Sequence, residues 1–310
     1  MLMVRMVVLA GLLLAVVSCG PASGPGGGGG DAAQDRGVVM TTFYPLAYFA
    51  RRIAGDTVEV QCPVPDDADP SSWQPGADAI RAYQQAEVIF VNGASFEKWV
   101  ATAPLPRSRI VDTTAGLKDE FLHYANATTH SHGPGGSHSH EGIDGHTWLD
   151  PVVALGQAEA VRDGLKRAYP EFAAEFDAGF VALAKDLRAL DASLRSLADE
   201  MDGVTIIASH PAYNYLARRY GWELINVSFD PKVRITETEV ASLLAKFSDS
   251  EGKRIVLWES AADEGSVRIL YESVGASSVV YSPVEAPVDE GFIGGMRVNI
   301  DRLADAVRGD

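Results

Sequence analysis

The chain has 310 residues, a length that suits two domains of ordinary size, and 46% of its residues are apolar, enough to build two hydrophobic cores. Its formal net charge is -16, and no run of Lys or Arg interrupts the acidic composition. Nucleic acid is therefore excluded as a partner, because neutralising phosphate groups requires clustered basic side chains.

The N-terminal residues have the pattern of a bacterial lipoprotein signal. Arg5 precedes an apolar run over residues 6–17, which is too short to span a bilayer, and Cys19 follows a small residue at the expected cleavage site. We expect residues 1–19 to be the signal peptide, ending at a lipidated Cys19; the alternative is an ordinary cleaved signal with an incidental cysteine. Residues 20–37 are rich in Gly, Pro and Ser, which predicts a flexible tether.

Short strands alternate with helices in the next part of the chain. Apolar and β-branched runs predict a helix over residues 45–54 and strands over residues 38–43, 57–63, 87–91 and 109–112. This alternation is typical of βαβ units, which build a parallel sheet. We therefore expect an N-terminal α/β lobe over residues 38–150.

A His-rich segment, residues 129–142, differs in kind from the sequence around it. It contains no core-forming residue and no periodicity, so we expect a mobile loop. Four of its side chains carry an imidazole: His130, His132, His138 and His140. We expect them to bind metal ions weakly; the alternative is a solvated linker that happens to contain histidine.

A helical segment over residues 151–202 contains the longest predicted helix. Its large apolar side chains recur at spacings of three and four, so they form one stripe: Phe172, Phe176, Phe180, Leu183, Leu187, Leu190, Leu194 and Leu197. The roughly 26 residues that the stripe covers would span about 39 Å, the length of two small lobes side by side. We expect this helix to join two lobes as a spine; a coiled-coil partner is the alternative.

The rest of the chain repeats the alternation of strands and helices. Strands are predicted over residues 204–208, 222–227, 254–258 and 278–281. Helices are predicted over residues 212–220, 236–247, 265–273 and 293–307. These elements predict a C-terminal α/β lobe over residues 203–310.

Three motifs, in order along the chain, carry a resemblance to a known family. Residues 86–99, 146–151 and 209–221 each resemble a motif of the solute-binding proteins of zinc and manganese ABC transporters, and the likeness extends over residues 38–310. The resemblance implies an α/β fold of two lobes, each with a parallel sheet flanked by helices. A long spine helix would join the lobes, and one metal ion would lie in the cleft between them, held by two side chains from each lobe. It also implies a monomer.

His146 and His210 match two of the four ligands of that family. A borderline-soft divalent metal favours imidazole nitrogen, so the residue type suits the chemistry. His210 follows the predicted strand over residues 204–208, and the carboxyl ends of parallel strands are where open α/β sheets bind ligands. The alternative for each residue is an ordinary capping or core histidine.

The other two ligand positions depart from the family pattern. Ser71 stands where the resemblance expects His, and Ser282 stands where it expects Asp. Neutral hydroxyls are poor zinc ligands, so the site needs substitutes or binds less tightly. Glu285 and Asp289, just past Ser282, are candidate substitutes, as are the loop histidines and the thiolate of Cys62. For Cys62 the alternative is a small core residue.

The resemblance implies the extracytoplasmic solute-binding protein of an ABC transporter, lipid-anchored to a bacterial membrane in the periplasm or at the cell surface. It would capture a divalent transition metal ion, zinc first and manganese second, for a permease and its ATPase. No catalytic triad, phosphate loop or paired catalytic carboxylates appear, so we do not expect an enzyme.

One alternative is a relative whose cleft has lost the metal or binds a small organic ligand near Trp73, Trp148 and Trp258. Another is a surface lipoprotein that acts as an adhesin or metal buffer.

Overall fold

The computed structural model describes residues 37–124, 128–131, 137–140, 142–247 and 252–309. For residues 128–131 and 137–140 it describes the backbone alone. The predicted signal peptide, the lipidation site Cys19 and most of the tether lie outside these residues, as does His132. In the described part of the chain, no helix is both long enough and apolar enough to cross a membrane.

Four parallel strands form the sheet of the N-terminal lobe: β1 (Val38–Thr41), β2 (Glu59–Gln61), β3 (Val88–Val91) and β4 (Ile110–Asp112). They lie in the order β2-β1-β3-β4, and β1 pairs in parallel with both β2 and β3. The connecting helices are α1 (Tyr44–Ala54) and α2 (Ala77–Gln85). All four residues of β3 are buried, as expected for an inner strand that is covered on both faces. The predicted parallel sheet is confirmed.

A β-hairpin occupies the His-rich segment. Its strands β5 (Thr128–Ser131) and β6 (Ser137–His140) pair antiparallel, and His123 and Ile143 form a bridge at its base. The prediction of a loop without secondary structure over residues 129–142 is therefore wrong for the backbone. The Gly-Pro-Gly-Gly run between the strands is a turn signal, and strand pairing uses backbone hydrogen bonds. A segment without core-forming residues can pair in this way.

Two long helices link the lobes. α3 (Pro151–Ala168) is capped by Asp150, whose carboxylate accepts hydrogen bonds from two backbone N–H groups of the first turn. α4 (Ala173–Ala198) is the predicted spine, and its 26 residues correspond to a length of about 39 Å. Six of the eight stripe side chains are buried along α4, while Phe172 and Phe180 are partly buried. Because the stripe packs against helices of the same chain, the spine is confirmed over a coiled coil.

A second parallel sheet forms the C-terminal lobe: β7 (Val204–Ala208), β8 (Glu223–Asn226), β9 (Lys253–Trp258) and β10 (Ala276–Val280). The strands lie in the order β10-β9-β7-β8, so β7 and β9 are the inner strands. Four helices accompany them: α5 (Asn214–Tyr220), α6 (Glu237–Leu244), α7 (Glu264–Val274) and α8 (Gly291–Arg308). The predicted strands and helices of this lobe are all present.

The main hydrophobic core runs through both lobes and the spine. It includes Phe90 of β3, Leu187 of α4 and Leu257 of β9, each 0% exposed. A smaller cluster completes the packing of each sheet, with Ile89 in the N-terminal lobe and Val256 in the C-terminal lobe. The continuous core holds the strand ends of the two lobes opposite each other across a cleft.

Candidate metal centre

A cavity of about 250 Å³ lies between the two lobes. The segments after β2 and β3, together with His146, line the side of the N-terminal lobe, and the segments after β7, β8, β9 and β10 line the other. The polar side chains of the lining are Asp66, Asp67, Asp69, Ser71, His146, His210, Lys232, Glu259, Ser260, Ser282 and Glu285. Five of them are carboxylates and one is a lysine, so the field in the cavity attracts cations.

His146 reaches the cavity from the N-terminal lobe and is 3% exposed. The buried carboxylate of Asp144 accepts hydrogen bonds from the backbone N–H of His146 at 3.0 Å and from its Nδ1 at 2.8 Å. Tyr124 donates its hydroxyl to the same oxygen at 2.8 Å. With Nδ1 donating to a carboxylate, the lone pair of Nε2 faces the cavity, as is usual for a metal-binding histidine. Burial lowers the pKa of His146, but the hydrogen bond to Asp144 and the negative charges of Asp144, Glu285 and Asp69 together outweigh it and raise the pKa above its ordinary value.

His210 reaches the same point from the C-terminal lobe, just after β7, and is 5% exposed. Its Nε2 lies 3.3 Å from Nε2 of His146. Two nitrogens that each bind one zinc ion at about 2.0–2.1 Å, with the tetrahedral angle between them, are themselves about 3.3 Å apart. The two imidazoles, one from each lobe, therefore have the spacing that a shared zinc ion requires.

Glu285 offers a third donor atom. Its Oε1 lies 3.9 Å from Nε2 of His146, and its side chain is 28% exposed. Within the described residues, no group of three or more His, Cys, Asp or Glu side chains is already arranged to hold a metal ion. A shift of about half an ångström would give the Glu285 oxygen the spacing of a third zinc ligand. The candidate site thus consists of two imidazole nitrogens at the spacing of a shared zinc ion and one carboxylate, that of Glu285, which must move closer to them.

Ser71 and Ser282 line the cavity at the positions where the resemblance expects ligands. The Oγ of Ser71 donates to Oδ1 of Asp69 at 2.7 Å. The Oγ of Ser282 accepts from the backbone N–H of Val284 at 3.1 Å. Both hydroxyls therefore stabilise their own loops, and each offers a metal only a neutral oxygen.

Two of the candidate substitute ligands are not brought to the cavity. Asp289 is exposed and does not line it. Cys62 lines a smaller neighbouring cavity of about 100 Å³, together with Asp66 and Glu285. Burial raises the pKa of the Cys62 thiol, which favours the protonated form that binds metals poorly. The hairpin side chains lie outside the described residues: His130, His132, His138 and His140.

The three tryptophans considered for an organic-ligand site pack inside the lobes. Trp73 and Trp258 each lie against another aromatic side chain of their own lobe. Trp148 is 1% exposed and packs behind His146, with ring centroids 5.4 Å apart. Among the described residues, Phe96 is the only aromatic side chain, apart from the two imidazoles, that lines the cavity. The cavity therefore lacks the aromatic walls that favour an organic ligand.

Sequence reasoning missed several residues of the site, among them Glu259, Lys232 and Asp144. Glu259 directly follows β9, so the strand-end rule that located His210 applies to it as well. Lys232 lies in the loop between β8 and α6, where the sequence carries no distinguishing signal. Asp144 lies two residues before His146, and only the fold shows that its carboxylate orients that imidazole.

Comparison with known proteins identifies relatives along most of the chain. The family model described as zinc-uptake complex component A, periplasmic (ZnuA), matches residues 39–306. The chain is 26% identical over 257 residues to the zinc-binding lipoprotein AdcA of Streptococcus pneumoniae, covering 81% of this chain and 51% of AdcA. It is 25% identical over 317 residues to the high-affinity zinc uptake system protein ZnuA of Bacillus subtilis, covering 97% of this chain and 96% of that protein. The chain thus spans about half the length of AdcA.

Solved structures share the fold. The metal-dependent lipoprotein YcdH from Bacillus subtilis has a TM-score of 0.73 at 23% identity, covering 87% of this chain and 98% of that one. Zn(II)-bound AdcA from Streptococcus pneumoniae has a TM-score of 0.72 at 23% identity, covering 88% of this chain and 58% of that one. Because the family model extends over both lobes, spine and cavity, the chain belongs to the family of periplasmic zinc-uptake components A.

Proposed function

We propose that the protein is the extracytoplasmic solute-binding component of an ABC transporter, and that it delivers a divalent transition metal ion, zinc first and manganese second, to the permease and its ATPase. The observation that carries the proposal is the pair of imidazoles, His146 and His210, with Nε2 atoms 3.3 Å apart. That spacing suits one zinc ion. The five carboxylates of the cavity attract a cation, and membership of a zinc-uptake family supports the same function.

The proposed ligands are His146, His210 and Glu285, with water or a serine hydroxyl in the fourth position. Two imidazoles and one carboxylate suit zinc, whereas manganese favours oxygen ligands. Ser71 and Ser282 supply only neutral oxygens, so we expect weaker binding than four protein ligands would provide. Weaker binding also makes it easier to release the ion to a permease.

The His-rich hairpin is proposed as an accessory site that binds zinc loosely and raises its concentration near the cavity. Its four histidines are His130, His132, His138 and His140. Tyr124, at the base of the hairpin, donates its hydroxyl to Asp144, which in turn orients His146. Ions released from the hairpin would therefore be close to the entrance of the proposed site.

The rest of the proposal concerns the protein as a whole. We propose that it acts as a monomer without enzymatic activity, as expected for a member of a transport family. Cys19 would carry the lipid that anchors it to the outside of a bacterial membrane. Support for the anchor comes from the lipoprotein signal pattern around Cys19 and from AdcA, which is named a lipoprotein.

The alternative functions have less support. A small organic ligand would need apolar or aromatic walls, and Phe96 is the one such aromatic side chain in the lining. An adhesin or metal buffer would act through the hairpin. Neither of these roles requires His146 and His210 to meet in a buried cleft at the spacing of a zinc ion.

The proposal is tested by isothermal titration of the purified, metal-free chain with zinc chloride. We expect His146→Ala and His210→Ala each to weaken zinc binding by at least about tenfold, or roughly 1.4 kcal/mol, because each change removes a nitrogen ligand. His123→Ala is the matched control, since His123 is exposed and does not line the cavity. Circular dichroism would show that the variants are folded. Unchanged affinity in both cavity variants would refute the proposed ligands.

A further inference from the structure

A short segment after β10 carries the third proposed ligand into the cavity. This segment, residues 281–285, ends at Glu285 and is here named the ligand segment. Val284 has a φ of 55°, a left-handed conformation that turns the chain toward the cavity. α8 packs closely on the turn, because a Cβ added at Gly295 would lie 3.3 Å from the Val284 side chain. The position of Glu285 therefore depends on the contacts that hold this segment.

The side chains of Asn299 and Tyr213 help to hold the ligand segment within the C-terminal lobe. Asn299 of α8, 2% exposed, accepts from the backbone N–H of Ser282 at 3.0 Å and donates to its carbonyl oxygen at 2.7 Å. Tyr213, three residues after His210, donates its hydroxyl to the carbonyl oxygen of Tyr281 at 2.5 Å. The C-terminal lobe thus sets the relative positions of His210 and the ligand segment by itself.

A hydrogen bond from the opposite lobe also reaches the ligand segment. Trp148, two residues after His146, donates its indole Nε1–H to the carbonyl oxygen of Pro283 at 2.8 Å. The indole is 1% exposed and lies between Phe43 and Phe96, at centroid distances of 4.8 Å and 5.0 Å. Because the ring is wedged in the core, it cannot follow the ligand segment if that segment moves away.

The spacing of the two imidazoles is set by different contacts. Asn214 of α5 donates to Oδ2 of Asp144 at 2.8 Å. Asp144 is the carboxylate that orients His146, and Asn214 lies four residues after His210. The distance between the imidazoles and the distance from His146 to Glu285 are therefore controlled by separate hydrogen bonds.

We propose that the hydrogen bond from Trp148 to Pro283 positions Glu285 relative to His146 and thereby sets the preference of the cavity for zinc over manganese. This inference rests on the proposed function and deepens it. Zinc is satisfied by four ligands at about 2.0–2.1 Å, which a closely held cleft provides. Manganese favours six oxygen ligands, which a looser, wetter cleft provides. Loss of the bond should therefore weaken zinc binding more than manganese binding.

The test compares two tryptophan variants that each lose one indole hydrogen bond. Trp148→Phe removes the bond to Pro283. Trp258→Phe is the matched control, because Trp258 is also 1% exposed and donates at 3.1 Å to Ser278 inside the C-terminal lobe. The metal-free proteins are titrated with zinc chloride and with manganese chloride. For Trp148→Phe we expect zinc affinity to fall by about ten- to a hundredfold and the zinc-to-manganese affinity ratio to fall about tenfold. For Trp258→Phe we expect that ratio to be unchanged.

The outcomes separate this inference from the proposed function. If wild type and Trp148→Phe had the same zinc-to-manganese affinity ratio, while wild type bound zinc and His146→Ala did not, this inference would be overturned and the proposed function would stand. If wild type bound no zinc, the proposed function would fail with it. Should Trp148→Phe not fold, benzothienylalanine at position 148 keeps the shape of the indole but lacks its N–H donor to Pro283 and should lower the same ratio; an unchanged ratio there would equally overturn the inference.

Discussion

The two serines of the cavity wall limit how tightly a metal ion can be held. The hydroxyl of Ser71 is bonded to Asp69, and that of Ser282 accepts from Val284 N–H, so neither is arranged as a strong donor. A metal ion gains little from such neutral oxygens compared with an imidazole or a carboxylate. We therefore expect the metal affinity of the site to depend on the residues at these two positions, rather than on the fold around them.

Restoring both ligands should tighten the site. Four-ligand zinc sites in small domains gain roughly 10–16 kcal/mol, so each ligand contributes on the order of 3 kcal/mol, about a hundredfold in affinity. We expect Ser71→His combined with Ser282→Asp to bind zinc at least about a hundredfold more tightly than wild type, measured by competition with a zinc-binding dye. The Asp can accept the same Val284 N–H that the Ser282 hydroxyl accepts, so the turn is preserved.

The control for that variant is Ser72→His, which places an imidazole beside the cavity rather than in its lining. It should leave zinc affinity unchanged. If the double variant kept its fold but bound zinc no better than wild type, the cavity would already be complete by another route.

The turn after β3 supports His146 from the side of the N-terminal lobe. Glu97, 6% exposed, accepts hydrogen bonds from the hydroxyl of Thr42 and from two backbone N–H groups of the turn. Asn92, in the same turn, bonds to the residues on either side of His146: it donates to a carbonyl oxygen at 2.9 Å and accepts from a hydroxyl at 3.1 Å. The buried carboxylate of Glu97 thus stabilises the turn that positions His146.

Glu97 should make the stability of the metal-free protein depend on pH. Burial raises the pKa of Glu97 from 4.5 to about 7, against hydrogen bonds that favour the charged form. Between these values the folded chain holds a proton that the unfolded chain has lost, so the contribution of Glu97 to stability falls as the pH rises through this window. We expect Glu97→Gln to remove this dependence, which amounts to roughly 3 kcal/mol, in urea unfolding followed from pH 4.5 to 8.

The control for this measurement is Glu272→Gln, because Glu272 is exposed. It should unfold with the same pH dependence as wild type. A pKa of Glu97 below 5, measured by carbon NMR of its carboxyl group, would show instead that the hydrogen bonds prevail over burial.

Helices and strands whose buried side chains recur at a regular spacing were predictable from the sequence. The hairpin, whose two strands are joined by backbone pairing, was not. The apolar stripe of α4 and the buried run of β7 are local patterns, so their positions followed from spacing alone. The sequences of the hairpin strands β5 and β6 contain no large apolar residue, so they carry no such pattern. Turn residues between them were the one available signal.

The same distinction applies to the site. His146 and His210 were predictable because motifs and a strand end marked them. The hydrogen bond from Trp148 to Pro283 joins residues 135 positions apart, and nothing in either local sequence indicates the partner. Contacts that orient ligands depend on the packed arrangement of the two lobes, which single-sequence patterns do not contain.

Across the whole molecule, charge as well as the core holds the lobes together. Arg219 of α5 lies between Asp150, the cap of α3, at 3.3 Å and Asp191 of α4 at 2.8 Å. Asp150 is 1% exposed, so this pair is screened by salt less than a surface pair would be. The Arg219 guanidinium therefore joins α5 of the C-terminal lobe to both of the helices that link the lobes. We therefore expect the cleft to keep its shape without a bound ion, apart from the approach of Glu285.

Because the proposed ligands come from both lobes, zinc should stabilise the chain as one unit. Zinc at 100 times its dissociation constant adds about 2.7 kcal/mol to the free energy of unfolding if the unfolded chain does not bind it. For a chain of this size that corresponds to a rise in Tm of about 5 °C, measured by differential scanning calorimetry.

The size of that rise distinguishes the cavity from the hairpin. The hairpin histidines lie within eleven residues of one another, so any zinc that they bind would be bound in the unfolded chain as well and would add little to the stability of the folded one. His146→Ala should therefore show almost no rise in Tm at the zinc concentration that stabilises wild type, while His123→Ala should show the full rise. If His146→Ala were stabilised as much as wild type, the stabilising ion would have to be bound elsewhere, and the assignment of the cavity as the zinc site would be wrong.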